Sequence, residues 1–276
     1  MPVVSVIVPC YNHAEYLSQA LDAVRTQTYQ HWECIIVNDG SSDNTHEIVR
    51  EYMRKDERFK YLEIANSGPA AARNYGIAEA AGEFILPLDG DDYISANYIE
   101  ECVAEIVSKD IRLVYGKAEK FGLVNQSWNL KEYTFEKLLF ENMIHCCGMY
   151  RKDDWNLAGG YDTNMKDGLE DWEFWINLLK TGGEVRRKDN VTFYWRIKEN
   201  SRTRQINRWK EERLNRYVYC KHKELYESYF IDPLKIYKEL SNLQKKQASI
   251  DARPFRFALW HSLNRYFKKS SFGQSR

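Results

Sequence analysis

No stretch of the chain approaches the ~20 consecutive apolar residues that a membrane span requires. The first residues lack a secretory leader pattern, so the sequence predicts a cytoplasmic chain that does not cross a bilayer on its own. Cysteine is sparse and poorly spaced for metal. Cys10, Cys34, Cys102, Cys146, Cys147 and Cys220 form no ligand-pair pattern, which argues against structural zinc and reads as reduced core thiols. Glycine is missing where a dinucleotide fold needs it. The loop after the first apolar run is Cys10-Tyr11-Asn12-His13, which removes a Rossmann dehydrogenase and disfavours a nucleotidyltransferase. Internal repeats and low-complexity tracts are absent too.

Net charge is also zero, yet the zero hides a split. Residues 1–185 hold 17 Lys+Arg against 31 Asp+Glu, whereas residues 186–276 hold 23 against 9. Such a division predicts either docking of the basic part on the acidic part or an anionic partner, a phosphate-bearing substrate or a membrane surface. Nucleic acid is not expected, because the basic part has neither a zinc-finger spacing nor an RNA-binding aromatic motif. Hydrophobic residues at 43% and 19 tyrosines within 276 residues indicate a packed globule rather than a disordered chain.

The β-branched run Val3 to Pro9 leads through a turn into an amphipathic stretch from Ala14 to Thr26. The pattern recurs as Trp32 to Asn38 then Asp43 to Met53, as Phe59 to Ile64 then Gly68 to Ala81, and as Phe84 to Leu88 then Ala96 to Ser108. Alternation of this length predicts parallel strands joined by right-handed helical crossovers. Further strands are expected over Ile111 to Val124 and Val191 to Trp195. Helices are expected over Phe135 to Glu141, Lys152 to Ala158 and from Gly168 or Leu169 to Thr181. Beyond a boundary near Asn200 the sequence is helical, polar and basic.

The most informative segment is Phe84 to Asp92, an apolar run that ends in Asp89-Gly90-Asp91-Asp92. Three carboxylates at the carboxyl end of a buried strand call for a cation, and oxygen ligands favour magnesium or manganese shared with a diphosphate. A solvated turn uses the same residue types. An EF-hand does not fit, because Tyr93 falls where an oxygen ligand is needed and Ile94 where the sharp turn needs glycine. Tyr11 offers a flat face to a base, and Asp39 can accept from a base N–H such as that of uracil. Ser41, Ser42 and Asp43 suit a turn and helix cap equally well.

Taken in order, Pro9-Cys10-Tyr11-Asn12, Asn38 to Asp43, Gly68 to Asn74 and Asp89 to Asp92 resemble the strand-end loops of family 2 of the inverting glycosyltransferases. The resemblance covers roughly residues 3 to 200. It implies an α/β GT-A fold, a mixed sheet flanked by helices, followed here by a basic helical extension over residues 201–276. It implies a UDP-sugar donor over the strand ends, with Pro9, Tyr11, Asn12, Asp39 and Gly68 around the nucleotide and Arg73 and Asn74 beside it. Asp89 would meet the ribose, Asp91 would hold Mn2+ or Mg2+, and Asp92 would lie close by. Gly159-Gly160-Tyr161-Asp162 and then Gly168-Leu169-Glu170-Asp171 resemble the family's glycine-aromatic-aspartate turn and its Glu-Asp pair at a helix start. On that basis Asp171 is the catalytic base, with Glu170 orienting sugar or acceptor groups. Acids at a helix start also suit the macrodipole alone.

One departure stands out. Tyr194 to Ser201 resembles a segment where many relatives carry histidine near Lys198, and a protonated lysine cannot ligate a metal. Arg196 and Lys198 are therefore assigned to the diphosphate. The acceptor is expected to be a glycan or lipid-linked hydroxyl. The alternation of aromatic and basic residues from Arg253 to Phe272 suits a helix on the anionic inner face of the membrane, or one docked on protein. An inactive sugar-nucleotide binding module remains the non-enzyme alternative.

Overall fold

The computed structural model describes residues 3–199, 201–229 and 233–252. Three strand–helix units come first, β1 (Val4–Cys10) and α1 (Ala14–Arg25), β2 (Trp32–Asp39) and α2 (Thr45–Lys55), β3 (Phe59–Ile64) and α3 (Pro69–Ala78), and then β4 (Phe84–Pro87). After β4 come the two-residue β5 (Tyr93–Ile94) and α4 (Tyr98–Ile106). The middle of the chain forms β6 (Ile111–Gly122), β7 (Gln126–Trp128), α5 (Phe135–Leu138), β8 (Met149–Arg151) and α6 (Lys152–Ala158). Next come α7 (Glu170–Leu179) and the long β9 (Glu184–Ile197). Helices α8 (Arg208–Lys221), α9 (Lys223–Tyr229) and α10 (Pro233–Ala252) follow. The amphipathic segment expected from Arg253 to Phe272 lies outside the described residues.

Strands run in the order β3-β2-β1-β4-β8-β6-β9-β5, with β7 hung on β6. The expected parallel units are present, since β1 pairs parallel with both β2 and β4, and β2 with β3. Past β4 the sheet becomes mixed: β8 is antiparallel to β4 and β6, whereas β6 and β9 run parallel. Every residue of β1 and β2 is buried, as strands covered by helices on both faces must be. Helix α3 packs especially close. A Cβ at Gly76 would sit 2.8 Å from the methyls of Ile7 and Val37, so only glycine lets this helix rest on β1 and β2.

The chain divides into two compact units, Met1–Lys223 and Glu224–Arg276. The first contains the sheet, helices α1 to α8 and every residue singled out from the sequence except those of the basic tail. Of the second, the described part is helical, with α10 its longest element. No helix among the described residues is long and apolar enough to cross a membrane.

Within the first unit the charge split becomes docking. Lys188 pairs with Glu101 and Glu105, Arg202 with Glu170, and Lys221 with Asp162 and Glu173. Within this unit, the basic residues between Lys188 and Lys221 thus dock on the acidic part.

Candidate active site

Loops at the carboxyl ends of the parallel strands are tied to one another before any ligand enters. Asn12, with φ 55°, accepts the Ser42 N–H at 2.8 Å, and its own N–H donates to Ser41 Oγ at 2.9 Å. Asp43 caps the first turn of α2 through the Thr45 N–H and also accepts the Ala14 N–H that opens α1. Asp39 is buried and accepts the N–H groups of Ser67 and Gly68 at 2.7 and 2.9 Å, joining the β2 loop to the start of α3. These loops border a cleft of about 550 Å³ that Pro9, Tyr11, Asn12, Asp39 and Gly68 all line. Tyr11 stands at its mouth with half its surface exposed.

The acidic loop forms the floor. Gly90 sits so near the end of β1 that a Cβ there would lie 2.7 Å from Cys10 Sγ and 3.1 Å from His13 Nδ1. Asp91 faces Lys198, whose Nζ lies 2.5 Å from Oδ2, with His13 Nε2 at 3.9 Å. Burial opposes charge on Asp91, but the His13 ring and the Lys198 ammonium outweigh it and hold the carboxyl below its usual range. Burial pushes His13 itself toward the neutral form, so Lys198 is the cation that decides. Asp92 accepts the Arg196 N–H at 2.7 Å, and burial followed by the charges of Asp91 and Asp89 raises its pKa well above normal. The Arg196 guanidinium donates to the Asp91 carbonyl and to Gln19, with Tyr16 and Phe121 rings each 4.4 Å away.

A second cavity of about 260 Å³ adjoins the first, and Asp89, Asp92, Trp195 and Arg202 line both. Its far side is the start of α7. Leu169, the residue before that helix, has φ 61°, a left-handed conformation that costs a branched side chain about 1–2 kcal/mol. Among the described residues only Asn12 and Leu169 are non-glycines at positive φ, and each opens toward one of the two cavities.

Glu170 and Asp171 are adjacent in sequence and opposite in behaviour. Burial works against charge on Glu170, yet Arg202 and Arg73 outweigh it and bring its pKa down to about 2. Asp171 has no cation at contact distance: Oδ2 accepts from Asn142 at 3.0 Å and Oδ1 from the Trp172 N–H at 2.8 Å. Burial and then the neighbouring Glu170 charge lift its pKa to about 6. Two carboxyls with separated affinities are the pattern of a proton-transfer site.

Arg73, Asn74, Glu170 and Asp91 have protein partners that their sequence neighbours did not reveal. Arg73 does not line the larger cleft; it is buried and bridges Asp89 at 2.6 Å and Glu170 at 2.8 Å, joining the two acidic centres. Asn74 lines neither cavity. Its amide accepts from Trp155 and the Tyr161 N–H and donates to the Tyr161 carbonyl, so it anchors the Gly159 to Asp162 turn. Glu170 is held by two arginines through Oε1, while its buried Oε2 has no hydrogen-bond partner. Asp91 meets an ammonium where a metal was expected.

Arg202, Asn142, Trp128 and His145, all on the second cavity, were not singled out from the sequence. His145 donates its Nε2–H to the Gly116 carbonyl, and burial lowers its pKa to about 4, so the ring is neutral. These residues sit in irregular segments or very short strands, where no periodicity marks them. A tryptophan at position 128 within the polar Asn125 to Trp128 stretch was the one available signal.

A family model described as Glycosyl transferase family 2 matches residues 5–165. The chain is 29% identical over 187 residues to a chondroitin synthase of Pasteurella multocida, which covers 66% of this chain and 19% of that protein. It is 42% identical over 115 residues to the glycosyltransferase GlyG of Streptococcus pneumoniae, covering 41% of this chain and 38% of the relative. The chain therefore spans about a fifth of the length of the synthases it matches. Among solved structures, S. aureus TarS 1-349 in complex with UDP-GlcNAc superposes with a TM-score of 0.65 at 23% identity, over 75% of this chain and 62% of TarS 1-349. A mannosyltransferase from Pyrobaculum calidifontis, in complex with GDP-Man and Mn2+, gives 0.58 at 18% identity over 72% of this chain and 58% of its own.

Proposed function

The chain belongs to glycosyl transferase family 2 and has the GT-A fold, and from that premise we propose that it transfers a hexose or N-acetylhexosamine from a UDP-sugar, with inversion, to a glycan or lipid-linked hydroxyl. One observation carries the reading. Asp171, with a pKa of about 6, lines a cavity that shares its wall with the cleft bounded by the strand-end loops.

In this reading the nucleotide lies in the larger cleft. Tyr11 provides the stacking face, and each Asp39 oxygen retains a lone pair beyond its backbone N–H for a base donor. Lys198, Arg196 and Arg202, which line the same cleft, offset the charge that grows on the departing diphosphate. The sugar ring spans the shared wall, with C1 facing the second cavity. Trp128 and Trp195, ring centroids 5.0 Å apart, give that cavity an apolar face suited to a sugar acceptor.

Deprotonated Asp171, oriented by Asn142, takes the proton of the acceptor hydroxyl. The acceptor oxygen then bonds to C1 as the bond from C1 to the diphosphate oxygen breaks on the opposite face, inverting the anomeric centre. The proton ends on Asp171. Glu170 stays paired with Arg73 and Arg202 throughout and holds the helix start in place.

Mn2+ or Mg2+ at Asp91 does not fit the residues as they stand. The ammonium of Lys198 already occupies Asp91 Oδ2, and among the described residues the groups close enough to share an ion are Asp89, Asp92 and Cys146. Two of those three accept from Arg73 and from the Arg196 N–H. The Lys198 ammonium competes with a divalent ion for Asp91, and no step is assigned to one.

The test is a panel of UDP-sugars with oligosaccharide acceptors, read by UDP release and by the anomeric proton of the product. Transfer with retained configuration, or wild-type transfer by Asp171→Asn, would remove this mechanism.

A further inference from the structure

The carboxyl end of β9 delivers two cations to a single residue of the acidic loop. Arg196 Nε donates to the Asp91 carbonyl at 2.8 Å, and Lys198 Nζ lies 2.5 Å from the Asp91 carboxylate. The ammonium is set rather than dangling. Its side chain is 20% exposed, Asp91 is 15% exposed, and the Tyr16 ring centroid lies 5.1 Å from Nζ. Both residues line the larger cleft, so the pair faces a ligand there. An ammonium carries three N–H donors, and Asp91 takes one.

The neighbouring carboxylates are each half engaged. Asp89 Oδ1 accepts from Arg73, and Asp92 Oδ1 accepts the Arg196 N–H. An ion at Asp91 would meet a carboxylate whose Oδ2 already holds an ammonium. Magnesium or manganese is typically held by one or two carboxylates together with substrate phosphates and waters, and a positive charge in contact with the carboxylate competes with it. A diphosphate, by contrast, finds Lys198 and Arg202 bordering one cleft, both able to donate charge-assisted hydrogen bonds.

We propose that Lys198 is the resident cation of the diphosphate subsite: held on Asp91, it supplies the positive charge that a divalent ion would otherwise supply, and the chain binds a nucleoside diphosphate without metal. The inference rests on the nucleotide-donor reading above and specifies how that donor is held. Asp91 then serves to position the lysine, and Lys198 belongs to the binding machinery.

The experiment is calorimetric titration of the full chain with UDP, after EDTA treatment and again with Mn2+, alongside manganese binding followed by electron paramagnetic resonance. For the wild type, UDP affinity should change less than about threefold between EDTA and Mn2+, because no metal contact is lost. In EDTA, Lys198→Gln should weaken UDP about 10- to 100-fold, the worth of a charge-assisted hydrogen bond, and Mn2+ should restore most of it. UMP, which lacks the second phosphate, should lose far less in the same variant. Lys198→Arg should keep metal-free binding, which separates charge from a folding defect.

Wild-type protein that binds UDP only with Mn2+, or that takes up one Mn2+ at Asp91 in the presence of UDP, overturns the inference alone. Failure of UDP to bind under every condition overturns the UDP reading and this inference together.

Discussion

Each acidic centre leaves one carboxyl without a cationic partner, Asp92 in the loop after β4 and Asp171 at the start of α7, and the two are left in different states. Asp92 is almost fully buried, and burial followed by the charges of Asp91 and Asp89 raises its pKa well above the usual carboxylate range. Asp171 has one acidic neighbour, Glu170, whose charge is already matched by Arg73 and Arg202. Its pKa stops at about 6, where a group can be ionised at neutral pH and still accept a proton in the transition state. Burial alone does not make a base. What matters is burial combined with a neighbour whose own charge has been balanced.

The sharpest way to break that comparison is Asp171→Asn, which should lower transfer about 100- to 10,000-fold while leaving UDP affinity unchanged. Single-turnover assays with separate UDP titration check it. In the wild type, kcat/KM should fall about tenfold per pH unit below 6, because the base must be unprotonated; a flat profile down to pH 5 would argue for another base.

Arg73→Met attacks the balance itself by leaving Asp89 and Glu170 short of a buried partner. The expected loss is roughly 3–5 kcal/mol of stability, seen as a large drop in urea midpoint.

A smaller effect runs the other way. The folded pKa of Asp171, about 6, lies above the unfolded value of about 3.9, so ionising it disfavours the folded state above pH 6 and has no effect below pH 4. Asp171→Asn should therefore stabilise the protein on the order of 2 kcal/mol at pH 7.5, and the gain should vanish by pH 4. Glu170 has the opposite sign: its pKa of about 2 contributes stability above pH ~4.3 that disappears as pH falls toward 2.

The smallest change is expected at Asp92→Asn. An amide oxygen can still accept the Arg196 N–H, and burial with the Asp91 and Asp89 charges already disfavours an ionised carboxyl there, so stability should move by less than about 1 kcal/mol and activity by only a few-fold.

Strands β1 to β4 were legible because each is rich in β-branched or aromatic residues: β1, β2 and β4 are wholly buried in a helix-flanked parallel layer, and β3 interrupts its apolar residues only at Lys60 and Glu63. Strands β5, β7 and β8 were not, since two or three residues carry no period. The first half of β9 reads Glu-Val-Arg-Arg-Lys-Asp-Asn and is largely exposed, so its composition hid a strand that pairing with β6 imposes. Within the site, the acidic loop and the Glu170-Asp171 pair were visible as clustered charge. The duties of Arg73 and Asn74 were not, because which groups a side chain reaches across 97 or 87 positions is decided by packing, not by its neighbours in sequence.

Arg73 also acts as a ruler. In the proposed mechanism this single guanidinium grips the loop under the diphosphate and the residue beside the proton acceptor, so it would set the gap between departing and arriving oxygens before either substrate docks. The size of the transferred unit would then be limited by the protein's own skeleton. Adapting this scaffold to a bulkier donor would mean recutting that measure first, ahead of any change in the pocket's walls.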